Sequence, residues 1–119
     1  MHLHIFTPAG EIYSGKVSVV EVPTLSGVIG ILPHHRPLTT LVSTGMVKFV
    51  PKEKEERILD STSFLFENDR TLLAVDEGIV YIEQDTVRLF VRYGNDNLSA
   101  ESFINEITKA HLKIKNLQK

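Results

Sequence analysis

The sequence predicts a mainly β protein, a β-sandwich of about ten strands followed by a single C-terminal α-helix. Between Leu3 and Val91 the apolar residues form short runs of β-branched and aromatic types, separated by turn-forming residues, which is typical of strands. After Tyr93 they recur every three or four positions, which is the period of a helix. We therefore expect a β-sandwich domain over residues 1–93 and a linker and C-terminal helix over residues 94–119.

Strand character is strongest in five segments, because β-branched and aromatic residues are frequent in them and polar residues alternate with apolar ones in several. They are Leu3–Ile5, Val17–Val22, Met46–Val50, Gly78–Glu83 and Val87–Val91. Turn formers between the apolar runs predict five tight turns. These are Pro8–Gly10, Tyr13–Gly15, Ser26–Gly27, Asn68–Asp69 and Gln84–Asp85. Five or more such strands imply a sandwich or a flattened barrel.

Two further segments are predicted to lie outside the regular strands. In Pro33–Pro37 two prolines bracket a basic cluster, and proline cannot donate a backbone hydrogen bond, so we expect a crossover or corner there. Lys52–Arg57 mixes both charges after a proline and is expected to be a solvated hairpin loop.

The C-terminal segment has the pattern of an amphipathic helix. Gly94–Asn97 is a polar linker, and Ser99 followed by Glu101 offers an N-cap with an acid in the first turn. One stripe of the helix is apolar: Phe103, Ile107, Ala110, Ile114 and Leu117. Because an isolated helix of this length is marginal in water, we expect the stripe to pack on an apolar neighbour, which can be the chain's own sandwich.

Composition excludes several classes of protein. The formal net charge of −2 and the pI near 6.2 provide no general attraction to phosphate backbones or anionic lipid, so nucleic acid is not an expected partner. The absence of cysteine rules out disulfides and thiolate metal sites and is compatible with a reducing compartment. No apolar run approaches the roughly 20 residues that span a bilayer, so we expect no direct membrane insertion.

The residues alone indicate no active site, no metal site and no cofactor. His2 and His4 share a strand face and His34 and His35 are adjacent, but no acid stands at a fixed spacing from either pair. Gly27–Gly30 lacks the phosphate-binding glycine patterns and is expected to allow a tight turn through its two glycines. No serine lies in a Gly-x-Ser-x-Gly elbow. We therefore expect no catalytic residues.

Several segments together resemble the epsilon subunit of F-type ATP synthases, in the same order and at suitable spacings over residues 2 to about 93. They are Phe6–Gly15, Val22–Thr24, Gly30–Leu38, Gly45–Val47, Val75–Ile82 and Asp85–Leu89. The resemblance implies a ten-stranded sandwich with C-terminal helices. It also implies a non-catalytic rotor-stalk subunit that joins gamma to the membrane rotor ring of a proton- or sodium-translocating enzyme. Such a subunit is a peripheral protein at the cytoplasmic face of the bacterial inner membrane, and the catalytic head subunits are further possible partners.

The same resemblance implies two separate interfaces. His35 and Thr40 match family positions that face gamma, and Thr7 is expected on that side. The ring-facing turn corresponds to Ser26, Gly27, Val28 and Ile29.

The sequence departs from the family in three places. The ring-facing turn lacks the acids that the family often carries, so apolar packing by Val28 and Ile29 would have to replace an electrostatic contact. Pro51–Glu77 is longer than the usual connection and suggests an extra or extended hairpin. Only one helix fits after Tyr93, and the family's nucleotide motif is absent there, so we expect no regulatory ATP binding and weak inhibition or none.

Two other classes remain as alternatives. One is a free-standing β-sandwich module in which the His34–Arg36 cluster binds an anion. The other is a small hydrolase, which the lack of a recognisable acid and base pair disfavours. Co-purification with gamma and the catalytic head subunits would distinguish the stalk subunit from both.

Overall fold

The computed structural model describes residues 1–52, 57–58 and 64–92. The predicted C-terminal helix, with its linker and apolar stripe, lies outside the described residues. Ten strands are present in the described part. They are β1 His2–Thr7, β2 Gly10–Thr24, β3 Gly27–Ile31, β4 Leu38–Val42, β5 Gly45–Pro51, β6 Arg57–Ile58, β7 Phe64–Glu67, β8 Arg70–Val75, β9 Glu77–Glu83 and β10 Thr86–Arg92.

The long strand β2 belongs to both layers of the sandwich. Its first half pairs with β1 and β6 and completes the first sheet, in which the strand order is β4-β9-β10-β1-β2. Its second half pairs with β3 and β5 and opens the second sheet, which continues through β8 to β7. The pairing of β1 with β10 is parallel, and the other described pairings are antiparallel. The predicted mainly β sandwich is therefore confirmed.

The core lies between the two sheets and follows the alternation of the strands. In β1, Leu3 and Ile5 are fully buried while His2 and His4 are only half-buried, because successive side chains point to opposite faces. Tyr13 of β2 joins the layers, with its ring centroid 4.5 Å from that of Phe49 on β5. Burial of such aromatic side chains contributes much of the free energy of a core of this size.

The five strongest predicted strands are confirmed as β1, β2, β5, β9 and β10, within the limits of strand-end assignment. Four of the five predicted turns lie between strands as expected. The turn predicted at Tyr13–Gly15 is wrong, because these residues lie inside β2. Tyr13 pairs with Ile5 on one side and with Ile58 on the other, and its side chain is fully buried. Strand pairing on both sides thus overrides the local preference of serine and glycine for a turn.

The predicted crossover at Pro33–Pro37 is confirmed. β3 ends at Ile31 in the second sheet and β4 begins at Leu38 in the first, so residues 32–37, called the corner below, carry the chain between the layers. A hairpin formed by β7 and β8 lies within Pro51–Glu77, where the sequence predicted an extra or extended one. Lys52 is exposed, as expected for a solvated loop, whereas residues 53–56 lie outside the described part. No helix in the described part of the chain is long and apolar enough to cross a membrane.

Candidate functional site

The tip of the β2–β3 hairpin is held in one conformation by a threonine. The hydroxyl of Thr24 donates a hydrogen bond of 2.6 Å to the carbonyl oxygen of Gly27 and accepts one of 3.2 Å from the backbone N–H of Ser26. Gly27 has a φ of 113°, a conformation that side chains other than glycine rarely adopt. The turn that the resemblance assigns to the rotor ring is therefore short and well defined.

This tip is apolar and uncharged. Leu25 and Val28 are 84% and 67% exposed, and no charged residue occurs between Val22 and Pro33. Ile29, in contrast, is in register with the fully buried Val22 and packs against the core. Of the expected apolar pair, Val28 is exposed, whereas alternation along β3 turns Ile29 toward the core. Leu25 is a further exposed apolar side chain of the tip.

The predicted gamma-facing residues lie in different parts of the structure. Thr40 is half-buried on β4, which stands at one end of the strand order, and His35 is half-buried in the corner that leads into β4. The His35 Nδ1 atom lies 2.7 Å from the carbonyl oxygen of Arg36. Thr40 is in register with the fully buried Val80 and so lies on the core-facing side of β4, whereas His35 precedes the strand. We call β4 together with His35 the β4 edge.

Thr7 does not join that surface. It ends β1, and β9 and β10 stand between β1 and β4. Its side chain is 4% exposed, and its hydroxyl accepts a hydrogen bond of 3.2 Å from the Ala9 N–H and donates one of 3.4 Å to the Gly10 carbonyl. Thr7 therefore stabilises the β1–β2 turn, and its burial leaves little of its side chain for a partner.

The first sheet carries a second apolar cluster on the face opposite the core. Ile79, Tyr81 and Phe90 are 2%, 4% and 9% exposed, and Phe6 packs beside them. The ring centroid of Phe90 lies 4.9 Å from that of Phe6 and 6.0 Å from that of Tyr81. Burial raises the pKa of the Tyr81 hydroxyl, against the opposing effect of Arg88, whose guanidinium lies 5.5 Å from the Tyr81 ring centroid. The sequence analysis missed this outer cluster.

A row of histidines continues the same outer face. The rings of His2 and His4 are 4.5 Å apart, and His2 Nε2 lies 3.1 Å from the Ser14 hydroxyl. His4 Nδ1 lies 3.6 Å from a carboxylate oxygen of Glu11. Desolvation, followed by the charges of His2 and Arg88, lowers the pKa of His4 although Glu11 acts to raise it. Among the described residues, no group of three acidic or histidine side chains is arranged to hold a metal ion.

At the corner, the backbone N–H of His34 donates a hydrogen bond of 2.8 Å to the carboxylate of Asp85. This bond lowers the pKa of Asp85. A carboxylate beside His34 repels a bound anion, so the arrangement does not favour the alternative in which the His34–Arg36 cluster is an anion site.

Taken together, these features define a class of protein, a two-layer β-sandwich with an exposed apolar hairpin tip. A family model described as the ATP synthase delta/epsilon chain β-sandwich domain matches residues 1–66. This match covers more than half of the 119 residues and includes the β2–β3 hairpin, the corner and β4. The chain therefore belongs to the ATP synthase delta/epsilon chain family.

Similar proteins agree with this assignment. The ATP synthase epsilon chain of Halalkalibacterium halodurans is 33% identical over 89 residues, which cover 75% of this chain and 56% of that protein. The epsilon chain of Neisseria meningitidis is 33% identical over 88 residues, which cover 73% of this chain and 53% of that protein. The epsilon chain of Aquifex aeolicus is 43% identical over 54 residues, which cover 45% of this chain and 41% of that protein. This chain thus spans about half the length of these curated relatives.

Solved structures show the same fold at low sequence identity. A chain of the Euglena gracilis mitochondrial ATP synthase matches with a TM-score of 0.59 and 12% identity, over 93% of this chain and 63% of that one. A chain in the central stalk and c-ring of the Tetrahymena thermophila mitochondrial ATP synthase matches with a TM-score of 0.51 and 14% identity, over 95% of this chain and 91% of that one.

Proposed function

We propose that the protein is a non-catalytic central-stalk subunit of a proton- or sodium-translocating F-type ATP synthase, and that it couples gamma to the membrane rotor ring during ATP synthesis. The family match over residues 1–66 carries this proposal, since that segment contains both candidate interfaces. In this role the protein is peripheral at the cytoplasmic face of the bacterial inner membrane. It has no active site of its own and needs no cofactor.

The β2–β3 tip is the proposed contact with the rotor ring. Because Ser26, Gly27 and Val28 carry no charge, the contact is apolar, and Leu25 adds the largest exposed apolar side chain of the turn. Ile29 supports the turn from the core side.

The β4 edge, with His35 and Thr40, is the proposed contact with gamma. The corner lies at the opposite end of β3 from the hairpin tip, and the five residues of β3 span roughly 17 Å. This separation applies to His35, because β4 runs back from the corner and the Ser43 N–H donates a hydrogen bond of 3.0 Å to the Pro23 carbonyl near the tip. It supports distinct contacts for His35 and for the tip.

Two experiments test the proposal. The tagged full chain should co-purify with gamma and the catalytic head subunits from membranes of its own organism. In the assembled enzyme, a Thr40→Cys variant should crosslink to gamma and a Val28→Cys variant to the ring. An Asp69→Cys variant, in the exposed β7–β8 turn, is the control and should crosslink to neither. Crosslinks in the opposite sense, or no co-purification, would overturn the proposal.

A further inference from the structure

We propose that Asp85 is a positioning residue for gamma binding, because its carboxylate fixes the corner from which the β4 edge begins. This inference rests on the proposed function, in which the β4 edge contacts gamma. Asp85 itself lies in the β9–β10 turn and reaches the corner through its hydrogen bond from the His34 N–H.

One carboxylate joins three segments that are distant in the sequence. Its Oδ1 atom accepts the 2.8 Å hydrogen bond from the His34 N–H, and its Oδ2 atom lies 3.4 Å from the amine of Met1. The backbone carbonyl of Asp85 also accepts a hydrogen bond of 3.0 Å from the His2 N–H. The β9–β10 turn is thereby tied to the start of β1 and to the corner.

Backbone strain is concentrated at the same place. Non-glycine residues with positive φ in the described part of the chain are His34 at 65°, Asn68 at 55°, Gln84 at 51° and Asp85 at 57°. Three of these four lie where the corner meets the β9–β10 turn: His34 in the corner, and Gln84 and Asp85 in the turn. Residues persist in this sparsely populated region only where their surroundings hold them, so His34 needs an external constraint. The charge-assisted hydrogen bond from its N–H to Asp85 supplies that constraint.

The constraint acts on the direction in which the chain enters β4. The His35 N–H donates a hydrogen bond of 3.2 Å to the Leu32 carbonyl and closes the corner two residues before Pro37. Leu38 then pairs with Ile82, which is on the strand that leads into the Asp85 turn. Without the carboxylate, β4 keeps its ladder to β9 while the corner can relax. Loss of the Asp85 carboxylate should therefore leave the fold intact but change the conformation of the corner that faces gamma.

Binding of the full-length chain to the purified gamma subunit of the same organism tests this inference. Asp85→Gly removes the carboxylate but tolerates the positive φ, so the turn itself should persist. Asp85→Asn keeps an oxygen that can accept the His34 hydrogen bond. Asn68→Gly makes the same kind of backbone change in the β7–β8 turn and is the matched control.

We expect Asp85→Gly to weaken gamma binding about tenfold, the order of effect of one lost charge-assisted hydrogen bond. Asp85→Asn should bind within about threefold of the parent chain, and Asn68→Gly should bind like the parent. Adding His34→Asn to Asp85→Gly should restore part of the affinity, because asparagine favours the left-handed conformation. Equal binding by Asp85→Gly and the parent, or equal losses for Asp85→Gly and Asp85→Asn, would refute the positioning role.

A second measurement does not depend on gamma. In an NMR pH titration of the parent chain, the His34 amide signal should follow the ionisation of Asp85. The midpoint should lie below pH 3.8, the ordinary pKa of an aspartate carboxyl group. If the His34 amide signal did not shift during this titration, the hydrogen bond between His34 and Asp85 would be refuted, and with it the positioning role. If the His34 amide signal follows the ionisation of Asp85 but the parent chain does not bind gamma, the proposed function is wrong, whereas the hydrogen bond between Asp85 and His34 stands.

Discussion

The Thr24 hydroxyl and the Gly27 carbonyl oxygen are 2.6 Å apart across the tip of the β2–β3 hairpin. The bond closes a two-residue turn and holds Leu25 and Val28 outward, so the tip presents apolar surface without needing a partner to order it. A contact that is formed by a preorganised tip loses less conformational entropy on binding than one formed by a flexible loop.

Replacing Gly27 with valine should lower the free energy of unfolding by roughly 1 kcal/mol or more, because valine at a φ of 113° is strained even though the space around it is open. Gly30→Val is the matched control. Gly30 also has open space but no positive φ and lies within β3, so the expectation that both glycines allow the tight turn is wrong for Gly30. Urea unfolding of the two variants measures the difference, and equal losses would contradict it.

Leu25→Ser should weaken assembly with the rotor ring while changing the free energy of unfolding by no more than about 0.5 kcal/mol, since the side chain is 84% exposed. Leu32→Ser, at the corner end of the same hairpin, changes a leucine that is 61% exposed and serves as the control. Retention of the subunit on isolated ring complexes gives the readout. Equal retention of Leu25→Ser and the parent chain would argue against an apolar ring contact.

The sequence predicts features whose cause is local. Alternation placed Leu3 and Ile5 in the core, and the prolines at 33 and 37 marked the corner, because side-chain direction and proline geometry act within a few residues. Register was harder to predict. Ile29 differs little in type from Val28, and only the pairing of Ile29 with Val22 shows which of the two faces the core.

Long-range contacts could not be predicted at all from local patterns. Glu11 reaches His4 because β1 and β2 pair with a register shift between Ile5 and Phe6, and sequence spacing does not reveal that shift. His34 and Asp85 are 51 positions apart in the chain and are brought together by the sandwich topology. The outer cluster around Phe90 was missed although a local signal exists, because the unbroken apolar run Gly78–Ile82 of β9 indicates a strand that is buried on both faces.

Gly78→Ala should destabilise the sandwich by about 1–3 kcal/mol, as overpacking of a close-packed site typically does. A Cβ atom at Gly78 would overlap the backbone carbonyl oxygen of Phe90 and lie 2.9 Å from the Cα atom of Val91. Backbone atoms in a paired strand cannot move aside as a flexible side chain can. Gly30→Ala, where no atom lies within 4 Å, should be near neutral in the same thermal unfolding experiment. Similar melting temperatures for both variants would contradict the predicted close approach of β9 and β10.

Acidification should destabilise the protein in part through His4. Because the folded-state pKa of His4 is lowered from 6.5, the unfolded chain binds this proton more readily than the folded protein does. The neutral ring therefore contributes its full stabilisation above pH 6.5, the pKa of the unfolded state. This stabilisation is lost as the pH falls below 6.5 and passes through the lower pKa of the folded state. A His4→Gln variant should lose less stability than the parent between pH 7.5 and pH 5. His35→Gln is the control, and an unchanged pH dependence in His4→Gln would contradict the prediction.

Deleting residues 99–119 should reduce stability or assembly more than it changes ATP hydrolysis by the reconstituted enzyme. The predicted stripe of this segment is apolar, and Ile79, Tyr81 and Phe90 give the first sheet an apolar outer face on which such a stripe can pack. We expect the deletion to cost about 1–3 kcal/mol, the usual range when packed apolar contacts are lost. Replacing Ile107 and Ile114 with serine should reproduce this loss, whereas serine at Lys109 and Lys113, which lie off the stripe, should not. Thermal unfolding and the ATPase rate are measured on the same preparations. A truncated protein that stays fully stable while the ATPase rate rises several-fold would show that the segment is an inhibitory arm.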